Sequence, residues 1–379
     1  MRHLKWGDIA TLHYGKGLRD RSEEQTESAQ YRVYGTNGPI GWCEEPIAQG
    51  PAIIVGRKGA YRGIEYTSEP FYVIDTAYYL ELTDNLVDME WAYYKLLTYD
   101  INRMDSGSAI PSTKREDFYS LPVDVPDLSS QQRATDILSA FDDLIEVNRQ
   151  RIERLERAAR LLYREWFVHH RFPGHEHAEI VDGVPEGWEH VAATDIIDVK
   201  PKMPTIDDGK EAWYVPMAAL SETGTSIDLS EARKREKQTS VRFQNGDVLF
   251  ARITPCLENG KTALVQFLND GEIATGSTEF IVLRGDRVSS AFTYCMSRTY
   301  DFRHNAIKSM TGSSGRQRVQ TECFDRFTSG LPPQHLLDEF DTVAEPCFEK
   351  IHLLQQQNRK LKQARDTLLP RLMSGEIKV

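Results

Sequence analysis

LSSQQRATDILSAFDDLIEVNRQRIERLERAARLLYREWF, residues 128–167, carries its apolar side chains at helical spacing. Ile137, Phe141, Leu144, Ile152, Leu155, Ala159, Leu162 and Trp166 recur at steps of three and four once Asn148 fills the one gap. That pattern draws a single stripe along an α-helix. No Gly or Pro interrupts it, and Ser129 or Ser130 is expected to cap it after the entry LPVDVPD. At roughly 1.5 Å per residue the rod is about 55 Å long. Such a helix cannot bury its stripe alone, so the stretch predicts a partner of similar length.

The C-terminal segment supplies one. It enters through Leu331-Pro332, as the first enters through Leu121-Pro122, and its stripe runs Val343, Cys347, Ile351, Leu354, Leu361, Leu368, Leu372. An offset of 206 superposes Ile145 on Ile351, Leu155 on Leu361, Ala158 on Ala364 and Leu162 on Leu368. One long helix occurring twice is an internal repeat. Pro346 and Pro370, which the first helix lacks, predict kinked or early ends for the second.

Asn148 and Asn358 each interrupt an otherwise apolar row. A lone Asn in such a seam costs stability and fixes alignment, because few registers satisfy its amide. An antiparallel register that pairs the two also sets Leu155 against Ile351, Ile137 against Leu369 and Trp166 near Phe340. The alternative is that each Asn borders its stripe and faces water.

The 379 residues suffice for two domains with separate cores. No apolar run reaches ~18 residues and MRHLKWGD lacks a signal-peptide pattern, so a soluble, cytoplasmic protein without a membrane partner is expected. Five cysteines are scattered without a C-x-x-C pair, which argues for reduced structural thiols over a zinc site or disulfide framework. The net charge of −11 disfavours nucleic acid at first sight, but it resides in the first 190 residues, the remainder being neutral. Local clusters must therefore decide the partner.

Residues 5–120 read as an α+β unit, with strand signals at 32–35, 51–56 and 71–82 and a short helix at 88–99. Residues 168–187 read as a Pro/Gly/His linker without periodicity. A second unit then echoes the first. Trp188-Glu-His-Val-Ala follows Trp6-Gly-Asp-Ile-Ala; GDVLFARITPCLENGK (246–261) follows GPAIIVGRKGAYRG (50–63); GSTEFIVLR (276–284) follows DTAYYLEL (75–82). TGSSGRQRVQTECFDRFTSGLP (311–332) answers SGSAIPSTKREDFYSLP (106–122) and places Phe324 on Phe118. The plan is globular unit, helix, globular unit, helix.

Together with the link YREWFVHHRFPGHE…VPEGWE and the C-terminal NRKLKQARDTLLPRLMSGEI, these motifs, in this order twice over, resemble the DNA-specificity (S) subunits of type I restriction-modification systems. The resemblance implies an α+β fold with a pseudo-two-fold internal repeat. Two target recognition domains, 1–125 and 188–330, would each read one half of a bipartite double-stranded DNA target. Spacer helices at 126–170 and 331–379, with 171–187 as linker, would form an antiparallel coiled-coil spacer and dock two modification (methyltransferase) subunits. Those subunits would bring S-adenosylmethionine, and ATP-driven restriction subunits would join them. The chain itself would hold no cofactor.

Candidate base and phosphate contacts cluster at equivalent places. In GRKGAYRG, Arg57, Lys58, Tyr61 and Arg62 crowd a turn where Gly lets a ligand approach the backbone, and Arg and Lys suit phosphate or guanine; the plain reading is a solvated hairpin. Thr36 and Asn37 sit in an Asn-Gly turn that equally reads as an ordinary β-turn. Ser106, Ser108, Ser112, Thr113 and Lys114 in the first unit match Ser313, Ser314, Arg316, Gln317 and Arg318 in the second. Arg316-Gln-Arg318 combines the side chains that read guanine and adenine. Arg252, Thr254 and Lys261 take the place of the first unit's cationic turn.

His169, His170, His175 and His177 lie in the linker without carboxylates at helical spacing, so no metal site is expected. Gly260-Lys261-Thr262 mimics the end of a P-loop, but Pro255 stands where its first Gly belongs. No dinucleotide fingerprint or Asn-Pro-Pro-aromatic motif occurs. A DNA-reading, non-catalytic subunit is the leading expectation. A helical adaptor whose globular units bind protein, or an enzyme with degenerate motifs, are the alternatives.

Overall fold

Trp6 anchors the start of the chain: in the computed structural model, which describes residues 1–104, 111–207, 209–236 and 240–379, its ring is fully buried 5.8 Å from that of Phe118. β1 (Arg2–Lys5) leads into the helical turn α1 (Trp6–Ile9). Two sheets follow. β2 (Ala10–Tyr14), β5 (Ala52–Gly56), β6 (Ile64–Thr67) and β8 (Ala77–Leu82) take the order β2-β8-β5-β6. β3 (Tyr31–Gly35) lies between β4 (Gly38–Cys43), to which it is antiparallel, and β7 (Phe71–Val73), to which it is parallel. β5 is buried at every position, as its run of apolar residues requires. The 71–82 run, expected as one strand signal, divides into β7 and β8 in different sheets. Ile74 donates to Tyr34 O and accepts from Ala77 N, which turns the chain between them.

α2 (Met89–Leu96) starts where the Asp88 carboxylate accepts from Trp91 N at 2.9 Å. After α3 (Arg115–Ser120), β9 (Pro122–Val125) returns to pair antiparallel with β1. α4 (Leu128–Tyr163) begins at Asp127, not at the serines expected to cap it. Asp127 accepts from Ser130 N at 3.0 Å and from both serine hydroxyls, which hold its carboxyl well below the usual range. A π-helical turn, Arg164–Val168, ends the run.

The presumed linker is ordered. β10 (Ile180–Val181) and β11 (Val184–Pro185) form a hairpin whose loop, Asp182-Gly183, takes positive φ at both residues (51° and 87°), the conformation a two-residue turn demands. Phe172, Val184 and Trp188 bury in the adjoining core, which is why the segment is not free chain. β12 (Glu189–Ala192) pairs with β21 (Thr328–Leu331) as β1 does with β9. β13 (Ile197–Val199), β17 (Val248–Ala251), β18 (Thr262–Leu264) and β20 (Phe280–Gly285) take the order β13-β20-β17-β18, the counterpart of β2-β8-β5-β6. In the other sheet β14 (Ala212–Val215), β15 (Arg233–Arg235), β16 (Val241–Phe243) and β19 (Ala274–Gly276) run β15-β14-β19-β16, with β14 and β19 parallel like β3 and β7. α5 (Ser290–Ser297), α6 (Tyr300–Lys308) and α7 (Gln334–Met373) complete the chain.

The molecule divides into a first unit, Met1–Ile145 with Arg359–Val379, and a second, Glu146–Asn358, so the division crosses both long helices. Within each unit the helix segments pair antiparallel. In the first, Asp142 pairs with Arg365, and Ala134 and Leu138 share a core with Leu372 and Met373. In the second, Ile152 and Ala159 share a core with Ile351, Leu354 and Phe340, and Asn148 Nδ2 donates to Asn358 Oδ1 at 2.9 Å and Gln357 Oε1 at 3.2 Å.

The register agrees with the sequence reading, but its phase shifts at three places. Ile137, Leu144 and Val343 are 36%, 37% and 50% exposed, while Leu138, Ala344 and Phe348 are buried. The α4 face turns toward its globular core: Gln131 is buried and bonds Leu86 O and Asp88 N. Leu138, and not Ile137, joins the core that Leu369 packs against. Around Phe340 the rings are Tyr163 and Phe167 rather than Trp166, because the π-turn inserts an extra residue there. α7 passes through Pro346 and Pro370 without ending; both lie on its exposed side, where a lost backbone bond is met by water.

Candidate nucleic-acid interface

Three segments distant in sequence converge at the C-terminal end of β5. Gly56 is indispensable there: a Cβ would stand 2.2 Å from Thr36 O. This close approach lets the 36–37 hairpin loop, which joins β3 to β4, lie against the turn after β5, and Gly63 N donates to Thr36 O at 2.8 Å. The third segment closes from the other side. Thr113 N donates to Arg57 O at 2.9 Å, the buried Thr113 hydroxyl donates to Gly56 O at 3.3 Å, and Ser112 bridges Lys58. Thr36, Asn37, Arg57, Lys58, Ser112 and Lys114 thus belong to one surface, whereas Thr113, only 1% exposed, lies beneath it as a structural residue and not the DNA contact expected of it. Ser106 and Ser108 lie outside the described residues.

The cations of this surface are not equivalent. Arg57 lies over the Tyr14 ring at 4.7 Å with Nη1 donating to Asp75 O at 3.0 Å, and Lys58 Nζ sits 3.7 Å from the Asp75 carboxylate. Arg115, absent from the sequence reading, covers the same ring at 3.9 Å, and its buried Nε has no partner. Tyr78 lies beneath both guanidinium groups, 5.7 Å from each. Burial and the neighbouring Tyr14 push its phenol up to about 12, against the pull of Arg57 and Arg115. Stacking fixes guanidinium planes by their faces and leaves N–H edges to donate. Tyr61 is 80% exposed.

Arg62 departs from expectation. Only 3% exposed, it donates from Nη1 to Met104 O at 3.0 Å and from Nη2 to Asn102 O at 2.8 Å. Its fork is committed to binding the loop to the 101–104 turn, so it is a structural residue.

In the second unit the equivalent loops are joined by a splint. Thr254 N donates to Gln317 O at 3.1 Å, and the Thr254 hydroxyl accepts from Gln317 N at 3.2 Å. Thr254 is buried, Lys261 Nζ donates to Met217 O at 3.2 Å, and Arg252 Nη2 donates weakly to Val319 O at 3.4 Å. Arg318 also departs from expectation: it chelates Glu279, with Nη2 donating to Oε1 at 2.6 Å and Nε to Oε2 at 2.9 Å. The carboxylate raises the guanidinium's pKa and occupies the edge that would read a base. Ser313, Ser314 and Arg316 face outward on the loop that the Thr311–Arg318 bridge closes, and Gln317 is half-buried at its base.

The sequence missed Tyr14, Arg115 and Glu279. Each lies far along the chain from the loop it shapes, in a segment that reads locally as strand end or charge run.

Comparison with known proteins bears out the resemblance read from the sequence. Residues 2–157 match the family described as Type I restriction modification DNA specificity domain. The chain is 25% identical over 397 residues to the Type I restriction enzyme MjaIX specificity subunit of Methanocaldococcus jannaschii, covering 98% of this chain and 85% of that protein. It is 30% identical over 201 residues to the EcoAI specificity subunit of Escherichia coli, covering 50% of this chain but only a third (33%) of that subunit's length. The crystal structure of a Type-I restriction-modification system S subunit from M. genitalium superposes with a TM-score of 0.59 at 15% identity, covering 98% of this chain and 95% of that one, which supports the two sheet-rich units and paired helices as its fold. Among the described residues no helix is long and apolar enough to cross a membrane.

Proposed function

We propose, from the match of residues 2–157 to the Type I restriction modification DNA specificity domain, that the chain is a sequence-specificity subunit reading a bipartite double-stranded DNA target. The observation that carries this is the repeated frame. The orders β2-β8-β5-β6 and β13-β20-β17-β18 present their cationic loops at equivalent strand ends, while the loops themselves differ. Equivalent frames with unlike loops suit two readers of unlike half-sites.

In this reading 1–125 and 188–330 are the target recognition domains. The helices at 126–170 and 331–379 dock two modification subunits, to which restriction subunits add. S-adenosylmethionine and ATP belong to those partners, catalysis is theirs, and the assembly works in the cytoplasm.

The test is selection of bound duplexes from a randomised pool by the chain assembled with its modification subunits. Two short blocks separated by a fixed unread gap are expected. A single block, or no enrichment, overturns the reading.

A further inference from the structure

Away from those loops, the second unit holds a pocket lined by Arg157 and Arg160 of α4, Arg164 in the π-helical turn that follows it, Arg298 at the end of α5 and Arg303 of α6. The i, i+3, i+7 spacing of Arg157, Arg160 and Arg164 brings the three guanidinium groups to one face. Among the described residues Asp301 is the one acid lining the pocket. Glu156 lies 3.6 Å from Arg160 but is already committed, accepting from Tyr294 Oη at 2.6 Å and Thr225 N at 2.9 Å.

Arg298 is only 7% exposed, and its Nε has no partner; its Nη atoms donate to Gly260 O and, at 2.9 Å, to Thr223 O. Arg303 Nη2 donates to Leu257 O at 2.9 Å and Glu258 O at 3.0 Å, and its Nε is likewise buried and unpartnered. Burial, then the nearby Arg298 and Arg160, push the Arg303 pKa down, the signature of positive charge without local compensation. In a chain of net charge −11, such a concentration of arginine is a local anion site.

Of the carbonyls held by Arg298 and Arg303, those of Leu257, Glu258 and Gly260 belong to the 254–261 loop. That loop starts at Thr254, the residue splinted to Gln317, and ends at Lys261. The pocket is therefore built into the flank of the candidate reading surface. At its rim Tyr300 is 73% exposed, with its ring stacked on His304 at 5.0 Å. Planar guanidinium forks suit a tetrahedral anion that repeats along a duplex.

We propose that this pocket seats a backbone phosphate of the duplex that the second unit reads, an inference resting on the DNA-reading function above. A phosphate contact positions the protein without specifying sequence.

The probes are a labelled target duplex and a scrambled one, titrated by fluorescence anisotropy across a salt series with the full chain in its modification-subunit complex. The double variant Arg157→Ala/Arg164→Ala, at two exposed positions, is expected to weaken both duplexes equally, about fivefold at about 0.15 M salt. The slope of log K against log salt should shrink by about 0.9. Arg171→Ala, an exposed position in the segment after the helix and outside the pocket, should leave both unchanged. Unaltered affinity and slope in the double variant overturn the site. So does a loss confined to the target duplex, or a loss of subunit assembly alone. A wild-type complex that cannot distinguish the duplexes overturns the functional reading as well, so the two failures are separable.

Discussion

The two units build the same strand frame and then use arginine in opposite ways. In the first, Arg57 and Arg115 are held by ring faces over Tyr14, which orients them and leaves donors available. In the second, Arg318 is held through its donors by Glu279, which orients it and uses them up. The helix pair shows a parallel contrast. The first unit pins its seam with Asp142 and Arg365, helped by Tyr94 Oη donating to Asp142 at 2.7 Å; the second uses Asn148 and Asn358. What repeats is backbone pairing and apolar burial. What varies is the polar chemistry laid over it.

The largest effect expected from breaking this contrast is in the first unit's loops. Tyr14→Ala removes the face on which two arginines rest and should weaken binding through the first half-site by about tenfold to a hundredfold, roughly 1.4–2.8 kcal/mol. Half-site affinity that survives this change would mean the stack is ornamental. Next is the seam charge. Asp142→Ala leaves the half-buried Arg365 with Asp366 alone and the Tyr94 hydroxyl without its acceptor, and should cost about 1–2 kcal/mol in denaturant unfolding. A neutral outcome would make the first unit's pin no different from the second's.

In the second unit, Arg316→Ala should relax base choice in one half-site by about 1–3 kcal/mol. Arg318→Ala should instead resemble Glu279→Gln, weakening binding through loop position. Arg318→Ala that relaxes base choice while Glu279→Gln does nothing would reverse the assignment. The Asn pin should go the other way from the charged one: Asn148 is fully buried with its Oδ1 unpaired, so Asn148→Leu should raise stability by about 1 kcal/mol while loosening register. A fall in melting temperature would contradict it.

The smallest effect is pH-dependent. Burial lifts Asp341 from the ordinary 3.8 to about 6; the Ser289 hydrogen bond opposes the shift, and Glu345 and Asp338 add to it. The folded state thus holds this proton more tightly than the unfolded chain. Its stabilisation is present below about pH 4 and is lost as pH rises through about 6. For a half-exposed group this is worth about 1 kcal/mol. Asp341→Asn should match wild type at pH 4 and exceed it at pH 7; melting curves at equal separation across that range would refute the linkage.

The sequence displayed what depends on repetition along the chain: both long helices, their antiparallel register, β5 and β17, and the Trp6 and Trp188 starts. Phase was less visible. Ile137 and Leu138 are equally apolar, and only the globular core beside α4 selects between them. Whether an arginine is available was not visible at all. Arg57 and Arg62 share one motif, yet the first is stacked on the surface and the second is buried by Asn102, 40 residues on. The linker looked unstructured because its order rests on Phe172 and Trp188 meeting in three dimensions, not on a period.

Glu156 sets a rule of exchange for any recombination of recognition units on this helix. The carboxylate emerges from α4 into the second unit's interior, where it needs a hydroxyl like that of Tyr294 and a backbone donor like that of Thr225. A foreign unit grafted between β12 and β21 inherits that anion along with the helix. Donors of the graft must therefore be compatible at two positions remote from any base. Lineages that shuffle such units should keep this requirement constant while their reading loops drift, and a chimera lacking the hydroxyl should be rescued by Glu156→Gln or Glu156→Leu without change in the sequence it selects.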